Sequence, residues 1–255
     1  MLEIMKTIKY ILNGFALLLI FSQCSKDSNS ALAGPGGNGA GGSTARFTIV
    51  GNYLYVVDHT SLKSFQITNP TAPVYKSKTE IGINIETIFP YKDKLFIGSS
   101  SSMYIYSLTN PDKPVQLAKA DYIIRMACDP VVARDSVAYA TLRGSGPCGG
   151  GMSALVVYDI KNISSPQLVA TVPMSGPYGL GLKNNALYVC EGTQGLRIFD
   201  ITNTYNPVQT GTIVNKTFYD VIPYGNILIG QKAGGFVLYD ITNPLQPVFQ
   251  AEINN

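Results

Sequence analysis

The sequence predicts an all-β fold: a five-bladed β-propeller of four-stranded antiparallel blades over residues 46–255. Three observations predict it: a fivefold internal repeat, a composition of strand and turn formers, and motif strands that are apolar on both faces. The repeat is clearest in a run ending in an Asn-Pro-type turn. It reads LKSFQITNPTAPV from Leu62, MYIYSLTNPDKPV from Met103, LVVYDIKNISSPQ from Leu155, LRIFDITNTYNPV from Leu196 and FVLYDITNPLQPV from Phe236. The turn Asn falls at 69, 110, 162, 203 and 243, at intervals of 41, 52, 41 and 40 residues, so one unit carries an insertion. Periods of 20–50 residues mark repeat architectures.

The 255 residues include 25 Gly, 15 Pro and 16 Tyr, a single His, no Trp and only 14% charged side chains. Gly, Pro, Tyr and β-branched residues favour strands and turns over helices. The 45% apolar content excludes a disordered chain. A net charge of +3 without a dense Lys/Arg cluster gives no footprint for nucleic acid.

Unit five shows the four strands: Thr217–Tyr224, the turn Gly225-Asn226, Ile227–Lys232, the turn 233–235, Phe236–Thr242, and Val248–Ile253 after the Asn-Pro loop. Gly-Asn, here and at Gly51-Asn52, suits the positive φ of tight hairpins. Pro in the third connection removes a ladder donor and stops the strand. In the motif strand, Phe236 and Leu238 oppose Val237, Tyr239 and Ile241, so neither face is polar. A sheet apolar on both sides must be sandwiched between neighbours. Radial blades closing into a ring satisfy this. A β-solenoid, the alternative, has coils too short for such units.

An acidic residue recurs just before the turn (Asp159, Asp200, Asp240), replaced by Gln66 and Ser107 in the first two units. A metal-ligand role competes with a local one, a short polar side chain accepting backbone N–H bonds in the loop; repetition in the outer part of each blade favours the local role. The pattern Leu-x-[Ile/Val/Leu]-[Phe/Tyr]-Asp-Ile-Thr-Asn-Pro resembles the LVIVD-repeat family of bacterial proteins, over about four-fifths of the chain. The resemblance implies a secreted or lipid-anchored β-propeller and leaves its activity unassigned.

The N-terminus reads as an address. Lys6 and Lys9 precede the apolar stretch Tyr10–Phe21, which is too short and interrupted for a membrane span. The stretch ends at Phe21-Ser22-Gln23-Cys24, which resembles a relaxed bacterial lipobox. The expectation is that residues 1–23 are a lipoprotein signal peptide, that Cys24 is lipidated, and that 24–45, rich in Gly and Ser, form a flexible tether; the alternative is a plain signal peptide or an uncleaved anchor with an incidental Cys. Ser25-Lys26-Asp27 is similar to a signal for the outer surface, so the expected address is an outer-membrane-anchored lipoprotein, periplasmic or surface-exposed.

Few residues carry chemistry. Cys128 and Cys148 lie in unit three, the latter in the inserted Gly-rich loop Arg143–Met152, and export makes a disulfide between them an expectation. It would contribute about 3 kcal/mol in the chain-entropy description. Cys190 ends a strand and reads as a small buried hydrophobe. Gly144–Gly149 matches G-x-G-x-x-G but no helix follows, which discards a nucleotide loop. His59, the sole imidazole, lies in a hairpin turn with no Ser-His-Asp partners in view. Aligning first strands on Tyr55, Phe96, Tyr139, Tyr188 and Leu228 brings Arg46, Glu86, Asp129, Tyr178 and either Tyr219 or Asp220 to one channel mouth. Such a set suits a cation or a small polar ligand. The expectation is a lipid-anchored, non-enzymatic module binding an unknown protein or small polar ligand, with no cofactor and no nucleic acid. The alternative is a hydrolase or other enzyme using carboxylate and Tyr groups at that mouth.

Overall fold

The structure is a computed structural model that describes residues 42–123, 130–144 and 151–254. Its strands form five four-stranded antiparallel sheets, each with its strands in chain order, spanning 47–80, 85–121, 131–174, 180–213 and 218–254. These are the blades of a five-bladed β-propeller. Blade 4 is representative, with strands Leu180–Lys183, Ala186–Cys190, Leu196–Asp200 and Val208–Ile213 from the inside out. The first hairpin of each blade turns on a residue of positive φ: Gly51, Lys92, Asp135, Asn184 and Gly225. The hairpin signal visible as Gly-Asn in two units is therefore a geometry shared by all five.

The Asn-Pro loop owes its shape to local side chains. Asn69, Asn110, Asn162, Asn203 and Asn243 each accept, through Oδ1, the backbone N–H two residues on. The same Asn carbonyls accept the N–H three residues on, closing a tight turn in every blade. The acidic residue before it acts in the same way: Asp159, Asp200 and Asp240 accept the N–H of Lys161, Thr202 and Thr242 at 2.7–2.8 Å. Ser107 does so at 3.1 Å with Thr109. Bonds to the charged form, from the Thr202 hydroxyl and N–H and from the Thr242 N–H, hold Asp200 and Asp240 below the usual carboxylate range. After each loop the outer strand carries one extra residue, a bulge at the same place in all five blades.

Four apolar cores join blade 1 to 2, 2 to 3, 3 to 4 and 4 to 5. Blade 3, flanked on both sides, has a second strand, Val137–Leu142, that is buried throughout. Hydrogen bonds pin the same interfaces. The second-strand tyrosines Tyr55, Tyr139 and Tyr188 donate their hydroxyls to Pro111, Thr204 and Pro244 carbonyls in the Asn-Pro loop of the next blade, at 3.1, 2.8 and 2.6 Å. Burial pushes the Tyr139 phenol up to about 12, so it stays a donor at any ordinary pH. Blade 2 has Phe96 at this place and joins blade 3 by packing.

The expectation that every blade is buried on both faces holds for blades 2 to 4. Among the described residues no shared core joins blade 5 to blade 1, so the apolar packing expected of a closed ring is missing at this seam. Apolar residues on both seam faces stay exposed, Phe47 by 60% and Phe236 by 42%. Their positions in blade 4, Leu180 and Leu196, are 1% and 0% exposed.

Residues 42–45, placed by sequence at the end of the tether, are packed at the inner ends of the blades. Ser43 is buried, and its hydroxyl accepts the Leu180 N–H of blade 4 at 2.7 Å. The Ala45 carbonyl accepts the Ile88 N–H of blade 2 at 2.9 Å. Ser43 and Thr44 also donate to Asp220 of blade 5. Short polar side chains let this stretch replace the hydration of three inner strands.

The tyrosine clasp has a measurable worth. Tyr188→Phe keeps the ring in its core and leaves the Pro244 carbonyl short of a donor, so urea unfolding should show a loss of about 1 kcal/mol. An unchanged midpoint would mean that packing alone sets the interface.

Candidate functional site at the channel mouth

Strand register decides which residues share the mouth. Phe47, Ile88, Val131, Leu180 and Val221 pair with Val56, Ile97, Ala140, Val189 and Gly230, equivalent places in the five blades. Two residues earlier come Glu86, Tyr178 and Tyr219, together with Ala45; Asp129 lies outside the described residues. Arg46 and Asp220 stand one step further in, beside Thr87 and Gly179. Sequence alignment on Leu228 is one residue out. Ile229 pairs with Ile222 and Leu238 as Tyr188 pairs with Gly181 and Ile198. A slip of one residue reverses the face, and Leu228 points into the core shared with blade 4.

Two cavities open here. One, of about 180 Å³, is lined by Thr44, Arg46, Glu86, Thr87, Arg143 and Tyr178, among others. Its neighbour, of about 280 Å³, is lined by Arg143, Ser175, Tyr178, Glu191, Thr217 and Tyr219, among others. Arg143 and Tyr178 belong to both and form the wall between them. The Arg143 guanidinium lies 4.0 Å from the Tyr178 ring centroid, a stacked cation–π contact. Its Nε is buried with no hydrogen-bond partner among the described residues. Tyr178 in turn meets Tyr219 edge to face at 5.3 Å. Gly192 makes room for this stack: its φ is +54°, and a Cβ there would sit 2.9 Å from the Tyr178 ring.

Among the described residues the carboxylates do not share one cavity. Glu86 lines the smaller cavity and Glu191 the larger. Glu191 is buried, accepts the Ser175 N–H at 2.5 Å and pairs with the Arg197 guanidinium. Asp220 is taken up by the 42–45 segment. Its Oδ2 accepts Thr44 Oγ1 at 2.6 Å, and its Oδ1 accepts Ser43 Oγ at 3.3 Å and the Val221 N–H at 2.9 Å. Gly179 abuts it so closely that a Cβ would lie 2.1 Å from Oδ1. Burial raises the Asp220 carboxyl above its ordinary value, against the lowering effect of these bonds.

Other sequence candidates stand apart. Cys24, Cys128 and Cys148 lie outside the described residues, as does most of the Gly-rich insertion, whose base is closed by the Gly151 N–H on the Gly144 carbonyl at 2.8 Å. Cys190 is a free thiol buried in the core between blades 4 and 5, its pKa pushed up by desolvation. His59 is exposed in its hairpin. Among the described residues no three His, Cys, Asp or Glu side chains gather as metal ligands. Sequence reasoning missed Arg143 and Glu191. Each is a charge placed directly after an apolar second strand, Val137–Leu142 and Ala186–Cys190, and that juxtaposition is the signal that marks them.

Residues 41–80, blade 1, match the family described as LVIVD repeat. This chain carries that repeat. A search of the curated proteins finds no match. Solved structures share the fold. A functionally unknown protein from Desulfotomaculum acetoxidans DSM 771 is 15% identical, with a TM-score of 0.61 over 80% of this chain and 66% of that one. A Lactobacillus plantarum protein is 10% identical, with a TM-score of 0.61 over 80% and 68%. The computationally designed Ika8 protein is 12% identical, with a TM-score of 0.58 over 82% and 63%. This chain thus spans about two thirds of the length of these structures.

The raised Asp220 carboxyl gives a pH test. The folded state binds this proton more tightly than the unfolded chain, so the stabilisation is full below the ordinary carboxyl value and is lost as pH rises through the raised one. Asp220→Asn keeps a partner for Thr44 and removes the titration. Urea midpoints of the parent protein should fall relative to the variant between acid and neutral pH; parallel profiles would show that Asp220 does not titrate in this range.

Proposed function

We propose that this LVIVD-repeat protein is an exported, lipid-anchored binding propeller of the cell envelope that holds a small anionic, polar ligand at the channel mouth. The reading includes no chemical step. One observation carries it: Arg143, stacked on Tyr178 in the wall between two cavities, has a buried donor without a partner among the described residues. A planar guanidinium held on a ring face is pre-organised for a carboxylate or phosphate. Arg46 adds a second positive charge in the smaller cavity. Cavities of about 180 and 280 Å³ lie below the usual size of ligand pockets, which restricts the occupant to a small molecule. A catalytic reading asks for two carboxylates facing one space; among the described residues Glu86 and Glu191 line different cavities and Asp220 lines neither. Export and anchoring rest on the signal-like N-terminus and Cys24.

Calorimetric titration of the full chain with phosphate and with di- and tricarboxylates, against a neutral sugar, tests the site. Anion binding should weaken at least about tenfold in Arg143→Ala and be partly retained in Arg143→Lys. Binding of no anion, or equal binding by all three proteins, overturns the assignment. For the anchor, a clickable palmitate analogue should label the parent protein and not Cys24→Ser, and globomycin should cause the precursor to accumulate. An unlabelled parent protein would remove lipidation from the proposal.

A further inference from the structure

The seam between the last blade and the first is a surface of a definite kind. Blade 4 turns Ala186, Tyr188, Leu196 and Ile198 into the core shared with blade 5. The same places in blade 5 are Ile227, Ile229, Phe236 and Leu238, all of them large and apolar and none fully buried. On its other side blade 4 turns Leu180, Leu187, Val189 and Phe199 into the core shared with blade 3. The same places in blade 1 are Phe47, Leu54, Val56 and Phe65, again apolar and again at least partly exposed. Blade 5 therefore presents a forward face and blade 1 a backward face, the two halves of the interface used four times inside the chain.

Among the described residues no packed core joins the two halves within one copy. The angle from blade to blade is set by the packing of each blade on its neighbours. Four packed cores fix that angle. Bringing blade 5 onto blade 1 in the same chain would disturb all four.

We propose that the seam is an interaction surface for a second copy of this chain, with blade 5 of one copy packed on blade 1 of the next. The contact is head to tail: it joins unlike faces, leaves one face of each kind free at the ends, and continues the interblade packing across the boundary between molecules. The occupant follows from continuity: the faces carry the residue types and register of blades that already pack on one another. Apolar faces of this extent are rarely left bare on soluble monomers. The inference is independent of the channel-mouth ligand and of the anchor.

Sedimentation velocity of the full chain in mild detergent, from about 1 to 100 μM, reads the association. The parent protein should show concentration-dependent dimers and larger species. Phe236→Asp disables the forward face and Phe47→Asp the backward face; both sites are exposed within a single copy, so circular dichroism and melting temperature should stay as in the parent protein. Each variant alone should raise the midpoint of association by at least about tenfold. Mixed together, they retain one intact face of each kind and should form a dimer that grows no further. A parent protein that stays monomeric over the whole range, variants that associate as it does, or a mixture that remains monomeric would each overturn the proposal; the first of these is also the result expected if other blades, rather than a second copy, cover the seam.

Discussion

Packing of sheets that are apolar on both faces is the constraint on which the rest of this structure depends. Each buried Leu, Ile or Phe side chain contributes about 1.5–3 kcal/mol relative to exposure. A blade can realise that on both sides only between two others. Stability is then a sum over neighbouring pairs, as in repeat proteins generally. The gradient is visible along the chain: the second strand of blade 3 is buried throughout, while that of blade 5 alternates. Tyrosine hydroxyls add direction to what would otherwise be sliding contacts. By seizing a carbonyl in the neighbour's Asn-Pro loop, Tyr55, Tyr139 and Tyr188 set how far one sheet can shift along the next.

The channel mouth inherits its chemistry from where the repeat ends. Strand interiors are committed to packing, so polar groups gather at the inner strand ends and in the loops that join blades. There Arg143, Glu86, Tyr178 and Tyr219 stand within one neighbourhood of two cavities. Asp220 shows the other fate of a polar group at this level. Buried among short hydroxyl side chains and two glycines, it serves the fold by fastening residues 42–45 to blade 5.

Much of the fold was legible because it repeats. Five Asn-Pro-type loops, 40 or 41 residues apart except across the one insertion, imply five like units, and the local role inferred for Asp159, Asp200 and Asp240 follows from chemistry within two residues. The seam was not legible, because Phe236 and Phe47 look alike in sequence whether or not a neighbour covers them. The packing of Ser43 and Thr44 was hidden in a stretch whose composition reads as linker; their partners, Leu180 and Asp220, lie well over a hundred residues away. Of the mouth residues, Glu86, Tyr178 and Tyr219 followed from strand pairing. Arg143 did not, since it borders the insertion, where the period breaks.

The bulged outer strands bear on how such a molecule avoids uncontrolled aggregation. An unpaired strand edge offers its amides and carbonyls to any extended segment that drifts past, and this protein has one such edge on the outside of every blade. The extra residue, Lys76 in the first and Gln250 in the last, kinks the strand and spoils a regular template for strand addition. Sideways growth by backbone pairing is thereby discouraged along the whole perimeter, and any ordered contact between molecules is left to side chains.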